Sequence, residues 1–588
     1  MVSATLPTAL SPVLPDVIAL VRQAGRMVAD EFCRPDGPRS ANADSAPVDE
    51  EVELFLRAGL TRLLPARFVG EESGVQANVA NGYCWVVDPH DGTRAFLEGR
   101  RGSAVSVALL RSGRPVLGVV YAPLSPDRGP DLIAWAEGGP ILRNGAPIAI
   151  DLRARELSPS DVVFLNHGSW QRPVWNGSAC APARFMPLPS IAYRLARVAA
   201  GDGIATVTLR PVAAHDIAAG HALLAAAGGV LLKEDGTPVT YDEAGDNRPG
   251  ACFGGAPAAV ATLLTRSWRR SPDPLQPARV TLSFPRAAEG TRLDRAIGCL
   301  LGLVIGDALG GQTAHPTVPR MRDDPGRGTI AGQPGAAGEL AITLARTLAG
   351  RDSYDAEAAI DAYARWYESG PVDGEDTLAP SLKAASAATA DRAHAARCAA
   401  DPAARDCTAL ARIAPIGVWA TSPEAAAAAA IADASLTHPH PLCQTACAAL
   451  AAAIAAAVQG ADRAAMREAA VRSAADEPLV IKALHAPEDI QRGGALVALA
   501  NAFRRLAEGL TAEQALAEAT AHGAADAAMT GAVLGAADGR AALPVAWVMP
   551  VLTCRPDAGL HAPRSRPALY WPDDLLDLTE ALLVKPAA

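Results

Sequence analysis

The chain has little that would send it across or into a membrane. Its ten cysteines are scattered, with no CxxC pair and no dense framework, which excludes a disulfide scaffold and favours the reduced thiols of a cytoplasmic protein. The opening MVSATLPTALSPVLPDVIALVRQAGRMV lacks a basic start before an apolar stretch. Asp16, Arg22 and Arg26 interrupt it, so it is expected to be an amphipathic helix rather than a secretion signal. The most apolar later run, Ala446–Val458, is Ala-rich and shorter than the roughly 18 residues of a membrane span. Positive charge is also in deficit. Lys and Arg number 53 against 63 Asp and Glu, a net charge of -10, which excludes general affinity for a nucleic-acid polymer or an anionic membrane surface. A local basic pocket for a small phosphorylated metabolite stays open.

What is present divides in two. At 588 residues, half of them hydrophobic, the chain is too long for one core. In the first part, DVIALVRQAGRMVADEF and VDEEVELFLRAGLTRLL carry apolar residues at three- and four-residue spacing and predict amphipathic helices. RFVG, YCWVVD, SAVSVALL, PVLGVVYAP and IATVTL are short, Val-rich and bounded by Gly, Pro or charge, as strands are. A proline-rich stretch without periodicity, SWRRSPDPLQPARVTLSFPRAAE, suits a connection. Beyond it, Ala-rich helical segments follow one another without a fixed-period repeat. The expectation is a multidomain chain: an α/β domain over 1–266, a linker over 267–289, and an all-α domain over 290–588.

The chemistry concentrates in WVVDPHDGTRAF. Asp88 and Asp91 stand around Pro89 and His90, at the end of a strand-forming run and just before Gly92 and Thr93. A structural turn does not need two carboxylates there. FVGEESG places Glu71 after another strand, and AAHDIAAG places Asp216 at the start of a helix. GEES alone reads equally well as a capping segment, and Asp216 alone as an N-cap. Together, four carboxylates converging without cations would repel, and divalent ions would make the cluster tolerable. Hard oxygen donors without a required Cys or His point to Mg²⁺. If RAFLEG opens a helix, Gly92 and Thr93 would present its N-terminus to a phosphate, with the Thr93 hydroxyl orienting a water.

In this order the motifs resemble the inositol monophosphatase family of Mg²⁺-dependent phosphomonoesterases. The resemblance implies a layered αβαβα fold, two or three Mg²⁺ ions, and hydrolysis of a small phosphate monoester such as an inositol phosphate, 3'-phosphoadenosine 5'-phosphate, histidinol phosphate or a sugar phosphate. It implies that Glu71, Asp88 and the main-chain carbonyl of His90 hold one ion and that Asp88, Asp91 and Asp216 hold another. Thr93 with Glu71 would activate the water, and Asp49 would lie near a further, weaker ion. Two departures stand out. His90 replaces a usual hydrophobic residue, its imidazole reading as incidental, and His215 replaces a usual Trp on the substrate wall. Ser190 and Arg194, in LPSIAYRLARVAAGDG, are candidates for substrate contact, and a homodimer is expected to be possible.

The second half opens RLDRAIGCLLGLVIGDALGG, with Gly298, Gly302 and Gly306 on one helix. With RIAPIGVWA, LTHPHP and MTGAVLGAADG, it resembles the ADP-ribosylglycohydrolase family, whose active members hold two Mg²⁺ ions. Where that family has Thr-Asp-Asp-Thr, the chain has Gly335, Ala336, Ala337 and Gly338; near the last Gly-rich helix only Asp526 is acidic, and the expected gating Glu falls on Ala314. Asp307 survives and reads equally well as a helix cap. The expectation is a pseudoenzyme domain without bound metal. The alternatives are a working ADP-ribosylglycohydrolase and an ADP-ribose or nucleotide-binding module. His438, His440, Cys443 and Cys447 invite a zinc reading, against which stands the ease with which small Cys residues fill an Ala-rich core.

Overall fold

The computed structural model describes residues 10–76, 81–242, 245, 247–268, 274–312, 321–374, 376–474, 477–485 and 494–584. The chain forms two compact units. The first runs to Ala278 and includes Phe284–Arg286; the second comprises Arg279–Ser283 and the chain from Ala287 on. The described part of 267–289 holds neither helix nor strand.

In the first unit an eight-stranded sheet is built from β1 (Arg67–Gly70), β2 (Gly74–Gln76), β3 (Tyr83–Asp91), β4 (Ala104–Arg111), β5 (Arg114–Ala122), β6 (Asp131–Ala136), β7 (Ile141–Arg143) and β8 (Ala146–Ile148). Their order is β2-β1-β3-β4-β5-β6-β7-β8. A second sheet is made of β9 (Val162–Leu165), β10 (Arg184–Pro187), β11 (Ala205–Thr208), β12 (Val230–Lys233) and β13 (Cys252–Gly255), ordered β10-β9-β11-β13-β12. Helices α1 (Leu14–Phe32) and α2 (Pro47–Leu63) cover the first sheet. The short α3 (Thr93–Leu97) and α4 (Pro173–Cys180) follow, then α5 (Ile191–Ala199), α6 (Ala214–Ala226) and α7 (Pro257–Leu264). α5 and α6 pack against strands of both sheets, and α4 and α7 against the second alone, which gives the αβαβα layering. On α1, Val17, Val21, Ala24, Val28 and Phe32 are fully buried, a stripe at helical spacing that places the core between α1 and the sheet.

Two local features position the site. β1 and β3 run parallel with Gly70 opposite Val87, so Glu71 and Asp88 leave the two strands side by side. Residues three apart on a regular strand face opposite ways. The β3–β4 pairing shifts register between Asp88 and Asp91, and this irregularity lets both carboxylates serve one cluster. All nine residues of β3 are buried, because helices cover both faces of the sheet.

The second unit is helical. α8 (Thr291–Gly310) lies along the helix Ala524–Asp538 in close backbone contact. A Cβ on Gly298, Gly302 or Gly306 would strike the carbonyl oxygens of Gly535, Gly531 and Ala527. α9 (Ala336–Leu348) follows. Among the described residues one helix, Pro441–Val458, is long and apolar enough to span a membrane, and it is 83% buried inside the protein, as a core helix is.

Candidate active site

Glu71, Asp88, Asp91 and Asp216 come together at the ends of β1 and β3 and the start of α6. Their donor atoms form two groups in which all atoms lie within 4.8 Å of one another: Asp88, Asp91 and Asp216 in one, Glu71, Asp88 and His215 in the other. The backbone holds the three aspartates each by one oxygen. His90 N–H donates to Asp88 Oδ1 at 2.8 Å. Ala213 N–H donates to Asp216 Oδ2 at 2.5 Å. Asp91 Oδ2 accepts from the Ser190 hydroxyl at 2.6 Å and from Ala192 N–H at 2.7 Å. Asp88 Oδ2, in contrast, is buried with no hydrogen-bond partner, a costly state for a carboxylate oxygen unless a cation meets it.

The electrostatics agree. Burial pushes the Glu71 carboxyl up to about 8, a side-chain hydrogen bond with Asp88 opposing and the charges of Asp216 and Asp91 adding to it. Burial also raises Asp91 to about 6, Asp216 contributing and the Ser190 and Ala192 hydrogen bonds opposing. Asp88 is raised well above the ordinary range by burial and by Glu71, Asp91 and Asp216, and Asp216 is raised by burial. A cluster that resists ionisation when bare is a cluster that suits divalent cations.

The imidazole of His90 is not incidental. It is buried, its Nδ1 2.7 Å from Asp49 Oδ1 and its Nε2 2.9 Å from the Ser103 hydroxyl, with Phe96 edge-on at 4.3 Å. Asp49 is thereby committed. Its other oxygen accepts from Ala46 N–H at 3.1 Å, capping α2, and lies 3.2 Å from Thr93 Oγ1, so both oxygens are spent on the protein rather than presented to a further ion. Thr93 Oγ1 also lies 2.9 Å from the His90 carbonyl oxygen. We expect His90→Leu to cost about 1–3 kcal/mol in urea unfolding of the first unit, since the buried Asp49 and Ser103 would lose a partner.

Three other residues differ from expectation. Ser190 is fully buried and caps α5 while gripping Asp91, so it stands behind the carboxylates rather than on an open wall. Arg194 is 2% exposed, its guanidinium directed to the Val207 carbonyl at 3.1 Å and the Ser190 carbonyl at 3.3 Å. It supplies positive charge behind Asp91 and Asp216, and burial, not solvation, is its environment. Gly92 adopts φ +103°, and a Cβ there would lie 3.2 Å from Pro189, so glycine is needed. α3 is only five residues long, too short for a strong dipole, which weakens the expected anion site at Gly92 and Thr93. The residue missed altogether as part of the cluster is His215. Its place next to Asp216 was the available signal.

In the helical unit, Asp307 Oδ2 accepts from Gly335 N–H at 2.7 Å and Gly338 N–H at 2.8 Å, capping α9. Burial pushes Asp307 up to about 7, opposed by the Gly338 hydrogen bond and by Arg327. The Arg327 guanidinium pairs with Asp373. A Cβ on Gly335 would lie 2.7 Å from Arg327 Nη2, and one on Gly311 would collide with the same guanidinium. Asp526 pairs with Arg505 at 2.6 Å and accepts from Asn501. The surviving acids thus have arginine partners or caps, and among the described residues none joins a group of metal-ligand geometry. The described residues of this unit do not gather a donor set for two Mg²⁺ ions. Ala314 lies outside the described residues. His438 bonds Thr437 and Asp406, His440 caps Leu442, and Cys443 faces the Ala404 carbonyl, so these residues and Cys447 do not assemble a zinc site.

The ADP-ribosylglycohydrolase family model matches residues 288–583, half of the chain, and the inositol monophosphatase family model matches residues 9–252. The chain belongs to the ADP-ribosylglycohydrolase family through its second half, and its first half matches the inositol monophosphatase family model. The 3'(2'),5'-bisphosphate nucleotidase CysQ of Escherichia coli is 28% identical over 239 residues, 39% of this chain and 93% of that protein. The histidinol-phosphatase of Chlorobaculum parvum is 30% identical over 158 residues, 26% of this chain and 59% of that protein. Among solved structures, the inositol monophosphatase of Anabaena (Nostoc) sp. PCC 7120 shares 24% identity with a TM-score of 0.34, covering 43% of this chain and 94% of its own. A structure described as an ADP-ribosylglycohydrolase-related protein complex shares 25% identity with a TM-score of 0.41, covering 50% and 98%. The inositol monophosphatase half is thus a phosphatase-family domain, and the ADP-ribosylglycohydrolase half is all-helical.

Proposed function

We propose that the inositol monophosphatase half hydrolyses a small phosphate monoester with divalent metal, Mg²⁺ being the physiological ion of an all-oxygen site. The observation that carries the reading is the partnerless, buried Oδ2 of Asp88, the residue common to both donor groups. Glu71, Asp88 and the His90 carbonyl would hold one ion, and Asp88, Asp91 and Asp216 the other. When bound, the ions supply the positive charge that neutralises the cluster and draws in the phosphate. The chain's own residues arrange the water. Thr93 Oγ1 can turn its proton onto Asp49 or the His90 carbonyl, leaving a lone pair to accept from the attacking water. Asp49 is kept in place for this by the His90 ring and the α2 backbone. Ser190 and the first turn of α5 fix Asp91 from behind.

The test is release of inorganic phosphate from a panel of inositol phosphates, 3'-phosphoadenosine 5'-phosphate, histidinol phosphate and sugar phosphates. Turnover of at least one with Mg²⁺, lost with EDTA, is expected; no turnover across the panel would sink the reading. For the helical half the reading is a catalytically silent domain, supported by the Arg327 and Arg505 pairs. Release of ADP-ribose from a modified protein by the full chain would overturn it.

A pH dependence follows. Ordinary Glu and Asp titrate at 4.5 and 3.8, whereas folded Glu71 and Asp91 hold protons to about 8 and about 6. In metal-free protein the folded state therefore binds more protons than the unfolded state, and stability falls as pH rises through that window. Bound Mg²⁺ takes the place of the protons. The rise in Tm that Mg²⁺ gives over EDTA should be small near about pH 5 and widen through about pH 8; a rise that shrinks with pH would contradict the cluster's assignment.

A further inference from the structure

His215 departs from an all-oxygen site. It is the second residue of α6, immediately before Asp216, and the Ser106 hydroxyl donates to its carbonyl at 3.3 Å, tying this turn to β4. One ring nitrogen lies within 4.8 Å of carboxylate oxygens of both Glu71 and Asp88. Its Nε2 is 3.9 Å from Asp216 Oδ1, too long for a hydrogen bond. Donors that share an ion at roughly 2.0–2.1 Å stand about 3–4 Å apart, according to the angle between them. The group is compact enough for its donors to close on one ion with a small side-chain adjustment. A second observation points to an ion at the same residue: Asp88, which belongs to the group that contains His215, is 1% exposed and has a buried Oδ2 without a hydrogen-bond partner.

We infer that His215 supplies a nitrogen ligand to the ion held by Glu71 and Asp88, so that this position takes a first-row transition ion in preference to Mg²⁺. The position formed by Asp88, Asp91 and Asp216 stays a Mg²⁺ site. The inference rests on the metal reading above and adds to it the identity of one ion. Imidazole favours borderline ions, while Mg²⁺ prefers oxygen donors and retains its water. The two positions share Asp88 and differ in one donor, so a mixed pair of ions is the expected resting composition. His215 is therefore a selectivity residue as well as part of the wall beside the reacting phosphate.

The experiment uses the full chain with Mn²⁺ as the probe, read by pulsed electron paramagnetic resonance and by competition with Mg²⁺. In the wild type, bound Mn²⁺ should show a ¹⁴N coupling. In His215→Phe the coupling should vanish, and the preference for Mn²⁺ over Mg²⁺ at the position of Glu71 and Asp88 should fall tenfold or more, while Mn²⁺ still binds through Asp88, Asp91 and Asp216. Bound Mn²⁺ without nitrogen coupling in the wild type, the same coupling in His215→Phe, or an unchanged preference would overturn the inference and leave the phosphatase reading standing. Failure of the wild type to bind Mn²⁺ at all would overturn both.

Discussion

Asp91→Asn lowers Mg²⁺-dependent phosphate release by roughly a thousandfold or more, a loss of about 4 kcal/mol of transition-state stabilisation. Asp91 is held through one oxygen by two donors: Oδ2 takes the Ser190 hydroxyl and Ala192 N–H. An asparagine keeps that grip through its carbonyl and turns an NH₂ group toward the cluster, where an anionic ligand is needed. Because the carboxylates repel one another in the bare protein, the same substitution removes repulsion and should leave the metal-free fold at least as stable. The pairing of lost turnover with undiminished Tm in EDTA separates a ligand from a structural residue. Equal loss of both would place Asp91 among the structural residues, and retained turnover would refute its role as a ligand.

Gly302→Val unfolds the helical unit near room temperature or lowers its stability by about 3 kcal/mol or more. Glycine inside a helix costs about 1 kcal/mol relative to Ala, and α8 carries it at 298, 302 and 306. The cost is offset by contact of two backbones: at Gly302 a Cβ would meet the carbonyl of Gly531, and at Gly531 a Cβ would meet the carbonyl of Gly302. Neither obstacle is a side chain that can swing away, so the helices must separate along their length, which is more than ordinary overpacking requires. Scanning calorimetry of the full chain should show the transition of the helical unit shifted down or missing. An unchanged transition would mean that the two helices do not meet at these glycines.

These two residues also show what a sequence can disclose. The strands and first helices were legible because apolar periodicity is local: RFVG and YCWVVD lie within strands, and SAVSVALL and IATVTL overrun theirs by one or two residues. Convergence of Glu71, Asp88, Asp91 and Asp216 was legible only because all four sit at strand ends or helix starts. What stayed hidden depends on long-range placement. His90 acquires its role from Asp49, 41 positions away, and Ser190 turns to Asp91 across 99. Arg194 read as a candidate for substrate contact because one helical turn cannot reveal that a second sheet covers it. His215 read as a wall residue for the same reason: a ring nitrogen's distance to Glu71 depends on how α6 packs on the sheet. In the helical half, Gly335 was legible as the loss of a ligand position, but the Asp373–Arg327 pair that crowds the glycine was not.

The central claim is that the carboxylates of the first unit gather to hold divalent ions. Anomalous difference density from crystals grown in Mn²⁺ tests it most directly. A peak within coordination distance of Asp88, Asp91 and Asp216, with Asp88 Oδ2 turned onto the ion, is the predicted result; carboxylates converged in the same way around no anomalous scatterer, at saturating Mn²⁺, would contradict it.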